Sequence, residues 1–374
     1  MDFDFSDEQK SLKDELRRFL AKASPTTEVR KVLEGEALYS KSTWQGLADL
    51  GVLGAGLPEE YGGAGGGYLE LCIVAEELGR ALAAVPFSSS ILLAAEFLMQ
   101  AGSEEQKQKY LPKLASGEWI GTFAYVEGNG PVTPDRIAMT GGAALSGTKI
   151  PVPDGMIADF AVVAARDGAA GERGISLFIV DLTGKGVTRE TVSNIDPTRP
   201  QAKIVFTNAP AERLGAQGEG WSLINAVFDK AAVLTAFEQV GGADRALEMA
   251  RDYALERMAF GRPIGSFQAI KHMLADMYVS ATLARSNAYY AAWALSTGSS
   301  ELPEAAAAAR VSATKAYQHC AKNNTQVHGG MGFTWAFDCH LFYKRANVMA
   351  SALGSLTQWE DKLIDRLRKS NKAA

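Results

Sequence analysis

Three cysteines in 374 residues, Cys72, Cys320 and Cys339, leave no disulfide framework and no C-x-x-C spacing. They read as reduced thiols of a cytoplasmic protein. Histidine is as sparse: His272, His319, His328 and His340 show no H-E-x-x-H or similar ligand spacing, which argues against a metal site. Basic residues do not exceed acidic ones, 38 Lys and Arg against 43 Asp and Glu, for a net charge of −5. No basic tract is present to neutralise phosphates, so nucleic acid is excluded as a partner. No apolar run approaches the roughly 20 residues that span a bilayer. The opening MDFDFSDEQK is acidic and amphipathic, and reads as neither a secretory signal nor an Arg-rich transit peptide.

What is present is the composition of a soluble globular protein, 47% hydrophobic and 22% charged, long enough for two or three domains. Residues 1–118 follow a helical period. Ser6 with Gln9 forms a capping box ahead of the stripe Leu12, Leu16, Phe19 and Leu20. Ser103 with Gln106 repeats the device, and apolar helices are predicted over Leu69–Ala84 and Ser88–Ala101. The glycines between Gly62 and Gly67 follow Pro58-Glu59-Glu60 rather than a buried strand, so they read as a loop and not a phosphate cradle. Over residues 119–212 the period changes to two. Short strands are predicted at Gly121–Val126, Gly147–Val152, Phe160–Ala165, Ile175–Val180, Val187–Val192 and Ala202–Phe206, forming a small barrel or sandwich. Helices return near Glu219 and fill the third region, residues 213–374. The fold class is α+β, with a helical N-terminal domain, a middle β domain and a C-terminal helical bundle.

The most informative stretch is Ala250 to Met277, ARDYALERMAFGRPIGSFQAIKHMLADM. It predicts a helix ending near Phe260, a break at Gly261-Arg262-Pro263, and a second helix capped by Ser266. Arg257 and Phe260 then share the last exposed turn, a cation and an aromatic suited to a phosphate- and ring-bearing ligand. With FSDEQ at Phe5, GLPEEYGG at Gly56, GSEEQKQKYLPKLASGE at Gly102 and QVHGGMGF at Gln326, in that order, the chain resembles the acyl-CoA dehydrogenase family over nearly its whole length.

That resemblance implies FAD-dependent α,β-dehydrogenation of an acyl-CoA thioester. The chemistry needs hydrogen-bond donors at the developing enolate, a Glu base in an apolar slot, and a flavin to carry the redox step. Family members place the Glu at one of two positions. One lies 26 residues before the Arg matching Arg257, which is Ala231 here; the other lies 21 residues beyond Gly332, which is Leu353. Neither is a carboxylate. Glu238, two turns and roughly 11 Å from Ala231, is a weak substitute. Asp229 keeps a family position near the substrate. The family's flavin-ring stretches are also altered, to Tyr125-Val126-Glu127-Gly128-Asn129-Gly130 and Ser146-Gly147-Thr148-Lys149-Ile150-Pro151-Val152-Pro153-Asp154.

By contrast, the residues that in the family touch a neighbouring subunit's flavin nucleotide are kept: Arg257, Phe260, Gln268, Gln326, His328, Gly329 and Gly330. The chain therefore resembles the base-lacking subunit of the paired bacterial acyl-CoA dehydrogenases of steroid side chains. The resemblance implies an α2β2 complex, a homologous partner carrying the Glu, a bulky acyl-CoA and an electron-transfer flavoprotein as acceptor. Three rival readings follow from the same residues: a homomeric dehydrogenase with a displaced carboxylate, a dehydrogenase-like flavin monooxygenase, and a scaffold without activity. Met273, Met277, Leu283, Tyr289-Tyr290 and Trp293 offer apolar faces for helix packing, and Trp335 with Phe337 is expected to close an interface.

Overall fold

A computed structural model describes residues 5–373. Its elements run α1 (Asp7–Ala23), α2 (Thr26–Leu33), α3 (Lys41–Asp49), α4 (Tyr68–Arg80), α5 (Glu96–Ala101) and α6 (Glu104–Ala115). The strands follow as β1 (Gly121–Ala124), β2 (Ala144–Pro153), β3 (Phe160–Arg166), β4 (Ile175–Asp181), β5 (Val187–Val192), β6 (Gln201–Pro210) and β7 (Glu212–Leu214). The last third holds α7 (Gly220–Glu256), a hairpin of β8 (Met258–Ala259) and β9 (Arg262–Pro263), then α8 (Gln268–Ser296), α9 (Leu302–His328), α10 (Cys339–Met349) and α11 (Leu356–Ala373). No helix among the described residues is long and apolar enough to cross a membrane.

The chain divides into two compact units that cut across chain order. One comprises Met1–Val29, Tyr68–Ala83 and Ala232–Ala374; the other comprises Arg30–Gly67 and Ala84–Ala231.

The second unit holds the strands. One sheet runs β1-β3-β4-β7 and the other β2-β6-β5. β3 and β4 pair antiparallel from Phe160 opposite Asp181 to Arg166 opposite Ile175. Both are apolar almost throughout and buried along their length, as central strands covered on two faces must be. β6 instead alternates, with Ala202, Ile204 and Phe206 turned inward. Both predicted capping boxes are formed, at Ser6 with Gln9 on α1 and at Ser103 with Gln106 on α6. The helix predicted over Ser88–Ala101 is real but is not one α-helix. Ser88–Ala95 is wound as a π-helix, and α5 continues from Glu96. Side-chain periodicity cannot distinguish these windings over eight residues.

The first unit is a helical body in which α7 and α4 touch without side chains between them. A Cβ built on Gly79 of α4 would stand 1.9 Å from the Glu238 carbonyl oxygen, and one on Gly241 of α7 would stand 1.9 Å from that of Glu76. Around this crossing lies a buried charge network. Lys13 of α1 reaches Glu76 at 2.6 Å, and Arg285 of α8 reaches the same carboxylate at 2.7 Å and also Asp244 of α7. Burial alone would raise the Glu76 carboxyl, but Arg285 and Lys13 outweigh it and hold the group below its usual range.

Overpacking a helix crossing costs about 1–3 kcal/mol. Gly79→Ala and Gly241→Ala are therefore expected to lower the denaturant midpoint by that much, while Gly142→Ala, whose Cβ meets nothing within 4 Å, stays within about 0.5 kcal/mol of the parent. Equal stability of all three variants would refute the close crossing.

Candidate functional site

The first half of the site is built where α7 ends. The helix stops at Glu256 rather than near Phe260, and the chain turns through the β8–β9 hairpin, with Met258 opposite Pro263 and Ala259 opposite Arg262. Phe260 and Gly261 sit at its tip with φ of 54° and 77°, the paired left-handed residues that a type I′ turn requires. Arg257 and Phe260 therefore leave the last helical turn for which their spacing was read. Pro263 cannot continue a helix, and the short ladder satisfies backbone groups that a frayed helix end would leave open. Ser266 is not the next cap either. Its hydroxyl donates to the Pro263 carbonyl at 2.7 Å, and Phe267 stands at the N-cap of α8 with no side-chain cap.

This places several candidates at one end of the unit. Arg257 is exposed; its backbone bonds to Tyr253 and Ile264, while its guanidinium has no hydrogen bond or ion pair among the described residues. Phe260 is 95% exposed, with its ring edge-on to Phe267 at 6.1 Å. Gln268 opens α8, beside backbone N–H groups that no side chain caps. One turn before Arg257, Tyr253 stacks on His328 at 4.0 Å, and Phe337 packs edge-on against both rings. That stack joins the end of α7 to the end of α9, where Gln326 is exposed and Gly329 and Gly330 follow with open space at both Cβ positions. Tyr253 was not singled out from the sequence. Its place one helical turn before Arg257 was the available signal.

His328 is buried, with Nδ1 2.9 Å from the Asn324 carbonyl oxygen. Burial lowers its pKa against that bond, favouring the neutral ring. Around these residues Leu255, Met258, Met331, Phe333 and Trp335 are also exposed, so this end presents aromatic and aliphatic groups to solvent. Patches of this kind mark association surfaces.

The donor set fits a dinucleotide's phosphates and ring. Arg257 carries uncommitted planar donors, the start of α8 carries free N–H groups, and two glycines let the backbone approach closely.

The family's base positions and flavin-ring stretches differ from the family pattern, each within its own unit. Ala231 on α7 is 1% exposed and carries no acid. Asp229 is buried two residues earlier, and Lys230 pairs with Glu96 at 2.6 Å. Leu353 lies in the turn between α10 and α11 with φ of 59°, and its carbonyl accepts from the Trp359 indole at 3.1 Å. Glu238 is buried at the α4–α7 crossing of the first unit. Its carboxylate stands 3.9 Å from Arg345, which also donates to the Leu82 carbonyl at 3.3 Å. Those contacts are architectural, and they commit the acid.

In the strand-rich unit, the stretch from Tyr125 to Gly130 turns its polar groups inward. Glu127 accepts from the N–H groups of Ala138 and Met139 at 2.9 and 3.1 Å and from Lys149 at 2.7 Å. Arg136 folds over the same loop, donating to the Asn129 and Pro131 carbonyls at 2.9 and 3.3 Å. Within this stretch the Gly128 N–H and the Val126 and Asn129 carbonyls are already bonded inside the unit. Among the described residues there is also no group of three or more His, Cys, Asp or Glu placed to hold a metal ion.

Known proteins resemble this chain over most of its length. Residues 6–118 match the model of the acyl-CoA dehydrogenase N-terminal domain, and residues 218–357 match that of the C-terminal domain. The chain belongs to the acyl-CoA dehydrogenase family. Among its relatives is acyl-CoA dehydrogenase IpdE2 of Mycobacterium tuberculosis, 33% identical over 351 residues that cover 93% of this chain and 94% of that protein. The ChsE4-ChsE5 complex of Mycobacterium tuberculosis contains a chain that is 28% identical, with a TM-score of 0.88 over 98% of this chain and 99% of its own. A variant of the Tcur3481-Tcur3483 steroid ACAD gives the same TM-score and identity, over 98% and 99%.

Lys149 supplies a pH test of its contact with Glu127. Burial pushes its ammonium from 10.5 down to about 8, against the pull of Glu127. Between those values the unfolded chain binds the proton that the folded chain has released, so this group makes stability rise with pH from about 8 toward 10.5. The buried thiols of Cys72, Cys320 and Cys339, whose pKa values burial raises, pull stability the other way over this range. The test is therefore a difference: relative to the parent, the unfolding midpoint of Lys149→Met paired with Glu127→Gln is expected to fall progressively from pH 8 to 9.5. Identical slopes would mean that Lys149 is solvated.

Proposed function

We propose that this chain is the base-lacking subunit of a heteromeric acyl-CoA dehydrogenase acting on a bulky, steroid-like acyl-CoA. In this reading it completes the flavin site of a homologous partner that carries the catalytic Glu. The observation behind it is the contrast at the site: uncommitted Arg257 donors and exposed aromatics at the end of α7, with alanine and leucine at both base positions. The relatives solved as two-chain complexes, one of them a steroid ACAD, support the same reading.

Arg257 donates to the pyrophosphate, and Phe260 covers the nucleotide. Gln268, Gln326 and His328 supply polar contacts, and Gly329-Gly330 lets the main chain come close. FAD, when bound, would supply the hydride acceptor, and the partner's carboxylate would serve as base for the α-proton. Asp229, which keeps a family position near the substrate, hydrogen-bonds it in this reading. The complex works in the cytoplasm, in keeping with three free, buried thiols, and passes its electrons to an electron-transfer flavoprotein.

Co-expression with the homologous partner tests the reading. The complex is expected to be yellow and active, and the chain alone colourless. Arg257→Ala is expected to weaken flavin retention about 10- to 100-fold, as loss of charge-assisted hydrogen bonds does, while Arg251→Ala, paired only with its neighbour Asp252, leaves it unchanged. Replacing the partner's base with Gln is expected to cost roughly 10²–10⁴ in rate. Glu238→Gln in this chain leaves the rate intact. A yellow, active homomer silenced by Glu238→Gln would overturn the proposal.

A further inference from the structure

α1, α4, α7 and α10 leave a hollow of about 420 Å³, and every residue that lines it belongs to the first unit. Its lining is apolar at Leu20 and Phe342, both buried, and at Met249, which is half-buried. It also carries three guanidiniums, from Arg17, Arg80 and Arg245, against two carboxylates, Glu77 and Asp338. None of the residues assigned to the nucleotide lines it, although Met249 lies one turn before Tyr253 on α7.

The three cations differ in how far their partners occupy them. Arg17 gives Nε and Nη2 to the two oxygens of Glu77, at 2.9 and 2.6 Å, and so satisfies that carboxylate. Arg80 and Arg245 instead share one acceptor, the Oε2 atom of Glu248, which does not itself line the hollow. Each donates through a single nitrogen, so the other nitrogens of both guanidiniums have no partner among the described residues. Burial would raise the Glu248 carboxyl, but Arg80 and Arg245 outweigh it and hold the group below its usual range. Both forks therefore stay anchored. Asp338 stands where α10 begins, and its side chain caps none of the first N–H groups of that helix, which remain as further donors.

The lining is thus rich in donors and short of acceptors, beside an apolar surface. A guanidinium fork matches the two oxygens of a carboxylate, and a hollow of this size takes an organic molecule rather than a bare ion. An uncharged apolar molecule would cover the donors of Arg80 and Arg245 and give them nothing to bond. We propose that this hollow binds a small organic carboxylate, with its charged head at Arg80 and Arg245 and its apolar body against Leu20, Met249 and Phe342. The site stands apart from the question of which subunit carries the base, so the isolated full chain serves for its test.

Calorimetric titration with 4-phenylbutyrate is expected to show one saturable site with a Kd below about 1 mM. 4-Phenylbutanol keeps only the apolar body and inorganic phosphate only the charge. Each is expected to bind at least about 10-fold more weakly. Arg245→Gln is expected to weaken 4-phenylbutyrate about 10- to 100-fold. Arg80→Gln paired with Glu248→Gln, which strands no carboxylate, is expected to do the same. Ala21→Trp, at an exposed lining position, is expected to abolish binding by filling the hollow. The substitutions are independent, so one that fails to fold leaves the others to decide. No saturable binding, or equal binding of the alcohol or of phosphate, overturns the proposal. So does binding that survives Arg245→Gln and Ala21→Trp, because the carboxylate then sits elsewhere on the chain.

Discussion

The packing of the helical unit depends on two absent methyl groups. At Gly79 and Gly241 the main chains of α4 and α7 come within reach of each other's carbonyl oxygens, and no larger residue fits at either point. Close approach fixes how α7 is rotated about its own axis. That rotation turns Glu238 inward to Arg345, points Asp244 at Arg285, and leads Tyr253 onto His328 at the far end. The position of Arg257 follows from the same constraint, since it lies one turn beyond Tyr253.

Sequence periodicity carried most of this architecture, and it failed where local geometry has no period. The capping boxes at Ser6 and Ser103 are formed as read, because each motif is a self-contained pair of hydrogen bonds. The strands beginning at Gly121, Phe160 and Ile175 are likewise found at those residues, since burial on two faces leaves a continuous run. The one at Val187, which is not buried, is found by its alternation. The end of α7 is such a place. Phe260 at positive φ belongs to a hairpin that a helical reading cannot represent, and the glycine beside it is half of a turn rather than a helix stop. The π-winding of Ser88–Ala95 was equally invisible, because it changes hydrogen-bond partners and not the apolar pattern.

At the site, residue type could be read but partnership could not. Ala231 and Leu353 could be located by counting from Arg257 and Gly332, because the surrounding motifs have fixed lengths. Nothing in the sequence said that Glu238 would be held by Arg345, some hundred residues away, or that Arg136 would fold over the loop at Asn129. Long-range polar pairs leave no spacing to read. They also distinguish an acid free for chemistry from one committed to holding helices together.

The bare aromatic tip of the β8–β9 hairpin has a consequence for the cell. A subunit that leaves the ribosome with Phe260 and Phe333 in water is recognisable to chaperones and proteases as unfinished. Its lifetime is then tied to the supply of whatever covers that tip.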